Sequence, residues 1–417
     1  MILILVKRFL NSELINYYLA KLFPGAANLL FIFIVLKFFK ADAYGYYSYI
    51  FSYATLFNNF FAGWINQGQL RRANKLNDTG DQKVLLYYGM AISFTLACIA
   101  SLVYYIIMHE AFRSLLLLLM TVVISMHFLL LNYFQAKFQA RMYRKVEMFR
   151  SVALLVMIGL FALLFPAKPE LVAICVILVY LSAIIYASGG IEKSAVKLRR
   201  SFLVENKKFM LGIFRFAFPV TLWLTVMNLF PVVDRSVLSA HAGMDKVGVY
   251  TSLYDIVIRS FSLVYFPITA FIHPRFMSSV NNDVHTEARQ ILNNGIRHFM
   301  LLFIGVLLVV IAAYMFGILG HFLHAAISLR LVLYLVTAGS LWQFSLLLHK
   351  PLEARNRTLQ MFAHILLSFF VYAGILFACN HMKGAVDYDT LGFAFMISAL
   401  VYCILSLPGY LKFMRRR

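Results

Sequence analysis

Residues 232–260 read VVDRSVLSAHAGMDKVGVYTSLYDIVIRS and join two apolar stretches. Within them Asp245, Gly248, Tyr250 and Thr251 form the pattern D-x-x-G-x-Y-[S/T]. Asp42, Gly45, Tyr47 and Ser48 form it once more, about 203 residues earlier at all four positions, close to half the chain. In each place the pattern lies between the first and second span of a six-span set. The chain therefore reads as two related halves, and its function is expected between them.

Composition agrees with a membrane protein. The 417 residues are 62% hydrophobic and 13% charged, whereas a soluble domain carries about 25% charged residues. Apolar runs of roughly 20 residues, long enough to cross a bilayer, recur from end to end. No hydrophilic interval is long enough for a soluble domain. The formal net charge of +21 does not point to nucleic acid, because Lys and Arg are concentrated in alternate loops. The opening MILILVKRF is not a cleavable signal, since its basic residues follow a short apolar part. It reads as an amphipathic segment on the inner membrane surface. Cys98, Cys175, Cys379 and Cys403 fall in or beside apolar spans without a CxxC pair, and read as packing residues.

Twelve helices are expected, at about 14–36, 46–69, 84–108, 114–134, 147–165, 170–190, 211–231, 249–271, 299–319, 326–348, 360–379 and 390–411. Each must be helical, because a lipid-exposed backbone has to satisfy its own hydrogen bonds. The fold class is an all-α polytopic membrane protein. It comprises a six-helix bundle over 1–191, a basic linker over 192–210 and a second bundle over 211–417. One set of loops holds about 27 Lys and Arg and the opposite set about 8, which places both termini in the cytoplasm. Lys21 precedes Phe23-Pro24 in span 1 as Arg215 precedes Phe218-Pro219 in span 7, a second sign of the repeat.

A charge near the bilayer centre costs about 2.5–3.5 kcal/mol on insertion scales, so it faces a partner or a wet cavity. Arg259 lies near the middle of span 8, and Asp255 is one turn away on the same face. The pair reads either as an anion-holding group tuned by a carboxylate or as a buried structural ion pair. Lys21 and Arg215 read as snorkelling cations, or as two cations able to clamp a diphosphate if helix breaks at Pro24 and Pro219 open a vestibule. Asp234 and Arg235 follow Pro231 and read as a gate pair or an ordinary helix-end pair. Span 2 carries Tyr46, Tyr49, Tyr53, Phe57, Asn58, Asn59, Trp64, Asn66 and Gln67. Tyr53, Asn58, Asn59 and Trp64 are candidate sugar contacts, with an aromatic belt and helix-to-helix hydrogen bonding as the plain alternatives. Trp342 and Gln343 are a weaker case of the same kind. His127 and His364 lie inside spans as proton relays or as hydrogen-bonded core histidines.

Other chemistries lack their signatures. His321 and His324 have ligand-like spacing but no nearby carboxylate or cysteine, so no metal site is expected. There is no GxxxxGK[ST], HExxH or GxSxG. The sequons at Asn77 and Asn356 fall in loops assigned to the cytoplasm.

The segments PVVDRSVLSAHAGMDKVGVYTSLYDIVIR, YFPITAFIHPRF and AKLFPGAANLLFIFIVLKFFKADAYGYYSY resemble the Wzx-type O-antigen and polysaccharide repeat-unit flippases of the multidrug/oligosaccharidyl-lipid/polysaccharide exporter superfamily. The resemblance extends over nearly the whole chain through span count and loop placement. It implies two six-helix bundles in a MATE-like V, alternating between inward- and outward-open states across a cationic cavity. The implied substrate is an undecaprenyl-diphosphate-linked oligosaccharide moved from the cytoplasmic to the periplasmic leaflet of a bacterial inner membrane. Lys21, Arg215 and Arg259 become candidates for the diphosphate or acidic sugars, and Asp255, Asp234 and Arg235 for coupling or gating. No cofactor is called for, while an H+ or Na+ gradient is an available energy source. Membrane lipids, and the polymerase and chain-length proteins of the same pathway, are the implied partners.

Three other readings compete. A drug or cation exporter of the same superfamily favours acidic cavity residues. A polysaccharide polymerase-type enzyme usually needs a sizeable external loop, and the interval 232–248 is short. The third is a scaffold for other polysaccharide enzymes.

Overall fold

The computed structural model describes residues 13–72, 79–137, 139–191, 207–318, 320, 327–384 and 386–415. The regular elements in them are all α-helices: α1 (Glu13–Arg72), α2 (Thr79–Met108), α3 (Ala111–Ala136), α4 (Ala140–Leu164), α5 (Pro169–Ser188), α6 (Lys207–Asn281), α7 (His285–Met315), α8 (Leu329–Leu348), the short α9 (Lys350–Ala354), α10 (Thr358–Lys383) and α11 (Tyr388–Arg415). The expected N-terminal amphipathic segment, most of the expected linker, His321, His324 and the sequon asparagine Asn77 lie outside the described residues.

Among the described residues ten helices are long and apolar enough to cross a membrane. Two of them hold two crossings each. The apolar parts of α1 and α6 run for 51 and 49 residues, about 75 Å of helix at 1.5 Å per residue, against a hydrocarbon core of about 30 Å. Each is broken at one residue, α1 at Lys40 (φ 71°, ψ 176°) and α6 at Gly243 (φ 82°, ψ 170°). The described residues therefore hold twelve spans in two pseudo-symmetric sets of six. The breaks are 203 residues apart, the offset of the sequence pattern, and each lies two residues before the pattern's aspartate. Asp42 and Asp245 thus sit in the first turn of each second arm, where a carboxylate complements the helix dipole.

Two sequence expectations are overturned. Pro24 and Pro219 do not break their helices, which run through both residues. A membrane helix tolerates proline because neighbouring groups re-satisfy the carbonyl that it frees. Span 5 begins at Ala140 and not near 147. The basic run ARMYRKVEMFR continues the helix, with Tyr143, Val146, Glu147 and Arg150 turned inward.

The chain divides into two compact units, Met1–Val232 and Val233–Arg417. The core of the first includes Ala20, Ile65, Leu86, Leu129, Phe134 and Val146. Helices approach closely where glycine permits: a Cβ on Gly63 would lie 3.2 Å from Thr221 Cγ2. The second unit is organised by ring packing. Tyr265 stacks between Phe261 (5.6 Å) and Phe299 (4.3 Å), and Trp342 packs on Phe395 (5.9 Å) and Tyr402 (5.3 Å). Side chains such as Leu163, Val309 and Phe377 are largely exposed, as lipid-facing residues must be when tails are as apolar as leucine.

Candidate functional site

The second unit contains a polar centre built across the break in α6. Asp234 and Arg235 lie on its first arm, about two turns before the break at Gly243, and Tyr250, Asp255 and Arg259 line the second. Consecutive helical residues point about 100° apart, so Asp234 and Arg235 take separate partners. Asp234 is 1% exposed. Its Oδ2 accepts the Tyr250 hydroxyl at 3.2 Å, and its Oδ1 accepts the hydroxyl of Tyr372 from α10. Arg235 Nη2 lies 3.5 Å from Asp255 Oδ1, and Arg259 Nη2 lies 3.6 Å from Asp255 Oδ2. One carboxylate therefore stands between two guanidiniums. The Arg235 and Asp255 side chains are 7% and 13% exposed, whereas Arg259 keeps 26%. The centre holds two cations and two acids in a place where an unpaired charge is costly. Sequence spacing found Asp255 with Arg259. It missed Tyr372, which no local pattern marks, and the bond from Arg235 to Asp255.

The first unit has its own ionic cluster. Glu147 Oε1 lies 2.8 Å from His127 Nε2, and Oε2 accepts Arg150 Nη2 at 3.1 Å. With the carboxylate ionised, His127 donates through Nε2. Arg150 also lies over the Tyr180 ring at 5.4 Å, and His127 meets that ring edge-on at 5.1 Å. His127, Glu147 and Arg150 are buried. His127 is thus a hydrogen-bonded core histidine. The i,i+3 spacing of Glu147 and Arg150 was visible in the sequence, but their place in a basic run concealed it.

The remaining candidates are dispersed. Lys21 has an exposed side chain with its ammonium 5.6 Å from the Tyr143 ring centre. Arg215 is exposed on the first arm of α6. Asn58 is 3% exposed, and its buried Oδ1 has no hydrogen-bond partner among the described residues. Asn59, Tyr53 and Trp64 are half-buried. Tyr53 packs among Tyr49, Phe57 and Tyr104, and Trp64 meets Phe214 edge-on at 5.6 Å. Trp342 is a packing residue, and Gln343 donates to Ser262 at 3.3 Å. His364 lies 3.5 Å from Gln360 Nε2. Among the described residues no group of three His, Cys, Asp or Glu could hold a metal.

A further cluster lies at the other end of the second unit. Lys350 Nζ donates to Glu353 Oε2 at 2.6 Å and lies 2.9 Å from His273 Nδ1. Burial, and then the Lys350 ammonium, hold the His273 imidazole below its ordinary value.

Comparison with known proteins bears on both fold and family. Residues 13–280 match the family described as polysaccharide biosynthesis protein. No curated protein matches the sequence. Among solved structures, the chain is similar to the MATE multidrug transporter DinF-BH, at 12% identity and a TM-score of 0.68 over 98% of this chain and 97% of that one. It is similar to a mutant of the Vibrio cholerae MATE transporter VcmN, at 13% identity and 0.64 over 97% and 96%. An outward-facing multidrug resistance MATE family transporter of the MOP superfamily aligns at 13% identity and 0.64 over 96% and 95%. At these identities the likeness is one of fold.

Proposed function

The chain belongs to the polysaccharide biosynthesis protein family, and from that membership we propose that it is a flippase for undecaprenyl-diphosphate-linked oligosaccharide units. It carries them from the cytoplasmic to the periplasmic leaflet of a bacterial inner membrane by alternating access. The physical task suits the fold. Sugar hydroxyls lose their hydrogen-bond partners in hydrocarbon, so the head group needs a polar route while its lipid tail stays in the bilayer. The two access states need nearly equal free energy, so that substrate or an H+ or Na+ gradient shifts their balance.

The observation that carries this reading is the pair of arginines sharing Asp255. A guanidinium presents five donors in a planar fork, so Arg259 can serve Asp255 and a phosphate together. Its partial exposure leaves it able to meet a ligand. Lys21 and Arg215, as exposed cations, are proposed for the diphosphate or acidic sugars, with Tyr53, Asn58, Asn59 and Trp64 for neutral sugars. Membrane lipids and the polymerase and chain-length proteins of the pathway are the proposed partners. A drug or cation exporter is the second reading, favoured by the buried acid Asp234.

Deletion in the native cell tests the proposal. Lipid-linked repeat units then accumulate on the cytoplasmic face. Complementation with Arg259→Ala restores membrane insertion but not surface glycan. Accumulation on the periplasmic face points to a polymerase, and normal glycan from the variant removes Arg259 from the site.

A further inference from the structure

The acid beside this cationic pair has a geometry that the binding reading does not use. Asp234 is fully buried, and both its oxygens accept phenols from two different helices. The titratable and charged groups around it are Tyr250, Tyr254 and Asp255 from the second arm of α6, Arg235 beside it in the chain, and Tyr372 from α10. Tyr388 of α11 stacks on Tyr250 at 6.1 Å. With both acids ionised, Asp234 and Asp255 balance Arg235 and Arg259, and the set is formally neutral. One proton on Asp234 leaves it with one positive charge.

Resting on the reading that Arg259 meets an anionic head group, we propose that Asp234 is the proton site linked to that anion: proton uptake on its carboxylate strengthens anion binding by Arg259. The step is the transfer of one proton from water to a carboxylate oxygen, with no other bond made or broken. An ionised carboxylate only accepts hydrogen bonds, whereas the neutral acid must donate one. Protonation therefore obliges either Tyr250 or Tyr372 to turn from donor to acceptor. The proton thus alters a link between the two arms of α6 or one between α6 and α10, as well as the local charge. The linkage is reciprocal, so a bound anion favours the protonated acid.

The repeat places this device in one half only. The positions 203 residues before Asp234, Arg235, Asp255 and Arg259 are Phe31, Ile32, Ser52 and Leu56, none of them ionisable.

The test uses the full chain in lipid nanodiscs, with undecaprenyl diphosphate as probe and binding followed by thermophoresis at several pH values. Wild-type affinity rises about tenfold over the titration as pH falls. Asp234→Asn binds with the same affinity at every pH. Tyr372→Phe, which keeps the carboxyl group, moves the midpoint of the pH dependence to higher pH, because the ionised form loses a donor. Arg259→Ala weakens binding at all pH values. A wild type whose affinity ignores pH, or an Asp234→Asn variant that keeps the dependence, overturns the linkage and leaves the anion site standing. Unchanged binding by Arg259→Ala overturns the anion site itself. Replacing potassium by sodium at constant pH leaves affinity unchanged, and a sodium dependence overturns the proton assignment.

Discussion

Phe31 and Asp234 occupy matching positions, 203 residues apart, in the two halves of the repeat, and each is met by the tyrosine of the shared pattern. Tyr47 packs edge-on against the Phe31 ring at 5.3 Å, whereas Tyr250 donates its hydroxyl to Asp234 at 3.2 Å. The scaffold is duplicated and its chemistry is not. In the first half this position is an aromatic contact. In the second it anchors a buried carboxylate next to two arginines.

Asp255→Asn removes the carboxylate that Arg235 and Arg259 share. Breaking a buried ion pair from one side costs about 3–5 kcal/mol, with the larger part from Arg235 because Arg259 is partly solvated. A lowered thermal midpoint of the purified protein measures this. Exchanging Asp255 and Arg259 does not restore stability or transport, since Arg235 then faces a second arginine. Recovery in the double variant excludes the three-residue arrangement.

Glu147→Gln strands the Arg150 guanidinium in the first unit. The expected loss is about 3–5 kcal/mol. His127→Asn removes one hydrogen bond and costs about 1–2 kcal/mol. Thermal unfolding of the two variants gives this order, and equal losses would mean that Arg150 finds another acceptor.

Lys40 and Gly243 share a backbone region that is open essentially to glycine alone. Lys40→Gly is therefore stabilising, by about 1–3 kcal/mol. Gly243→Ala is destabilising by a similar amount, although no atom lies within 4 Å of the added Cβ. Opposite shifts in thermal midpoint check this pair. Shifts of the same sign would place the strain elsewhere.

His273 gives a pH dependence with a definite sign. Its folded value is lowered, by burial first and then by Lys350 2.9 Å away. The unfolded chain takes up a proton near its ordinary value of about 6.5, where the folded imidazole stays neutral. The contribution of His273 is thus complete above that pH and is lost as pH falls below it. Thermal midpoints between roughly pH 7.5 and 5.5 decline less steeply in His273→Gln than in wild type.

The sequence revealed the spans because hydropathy is a property of contiguous residues. The repeat was equally plain, since its four positions keep their spacing. Proline was misleading: Pro24 and Pro219 look like breaks, while the actual break at Lys40 carries no signal at all. Charge was misleading in α4, where a basic run concealed Glu147 and Arg150 in the core. Asp255 with Arg259 was legible through helical spacing. Tyr372 was not, because it reaches Asp234 from 138 residues away in the chain, and only tertiary packing brings them together.

The narrowness of the breaks in α1 and α6 has a practical corollary. These two pairs of crossings share a joint one residue wide. Torque on one arm is delivered to its neighbour with little slack, much as an elbow transmits the rotation of a forearm. An epitope tag inserted after Lys40 or Gly243 therefore uncouples two levers, whereas the same tag at 165–168, between α4 and α5, leaves them engaged.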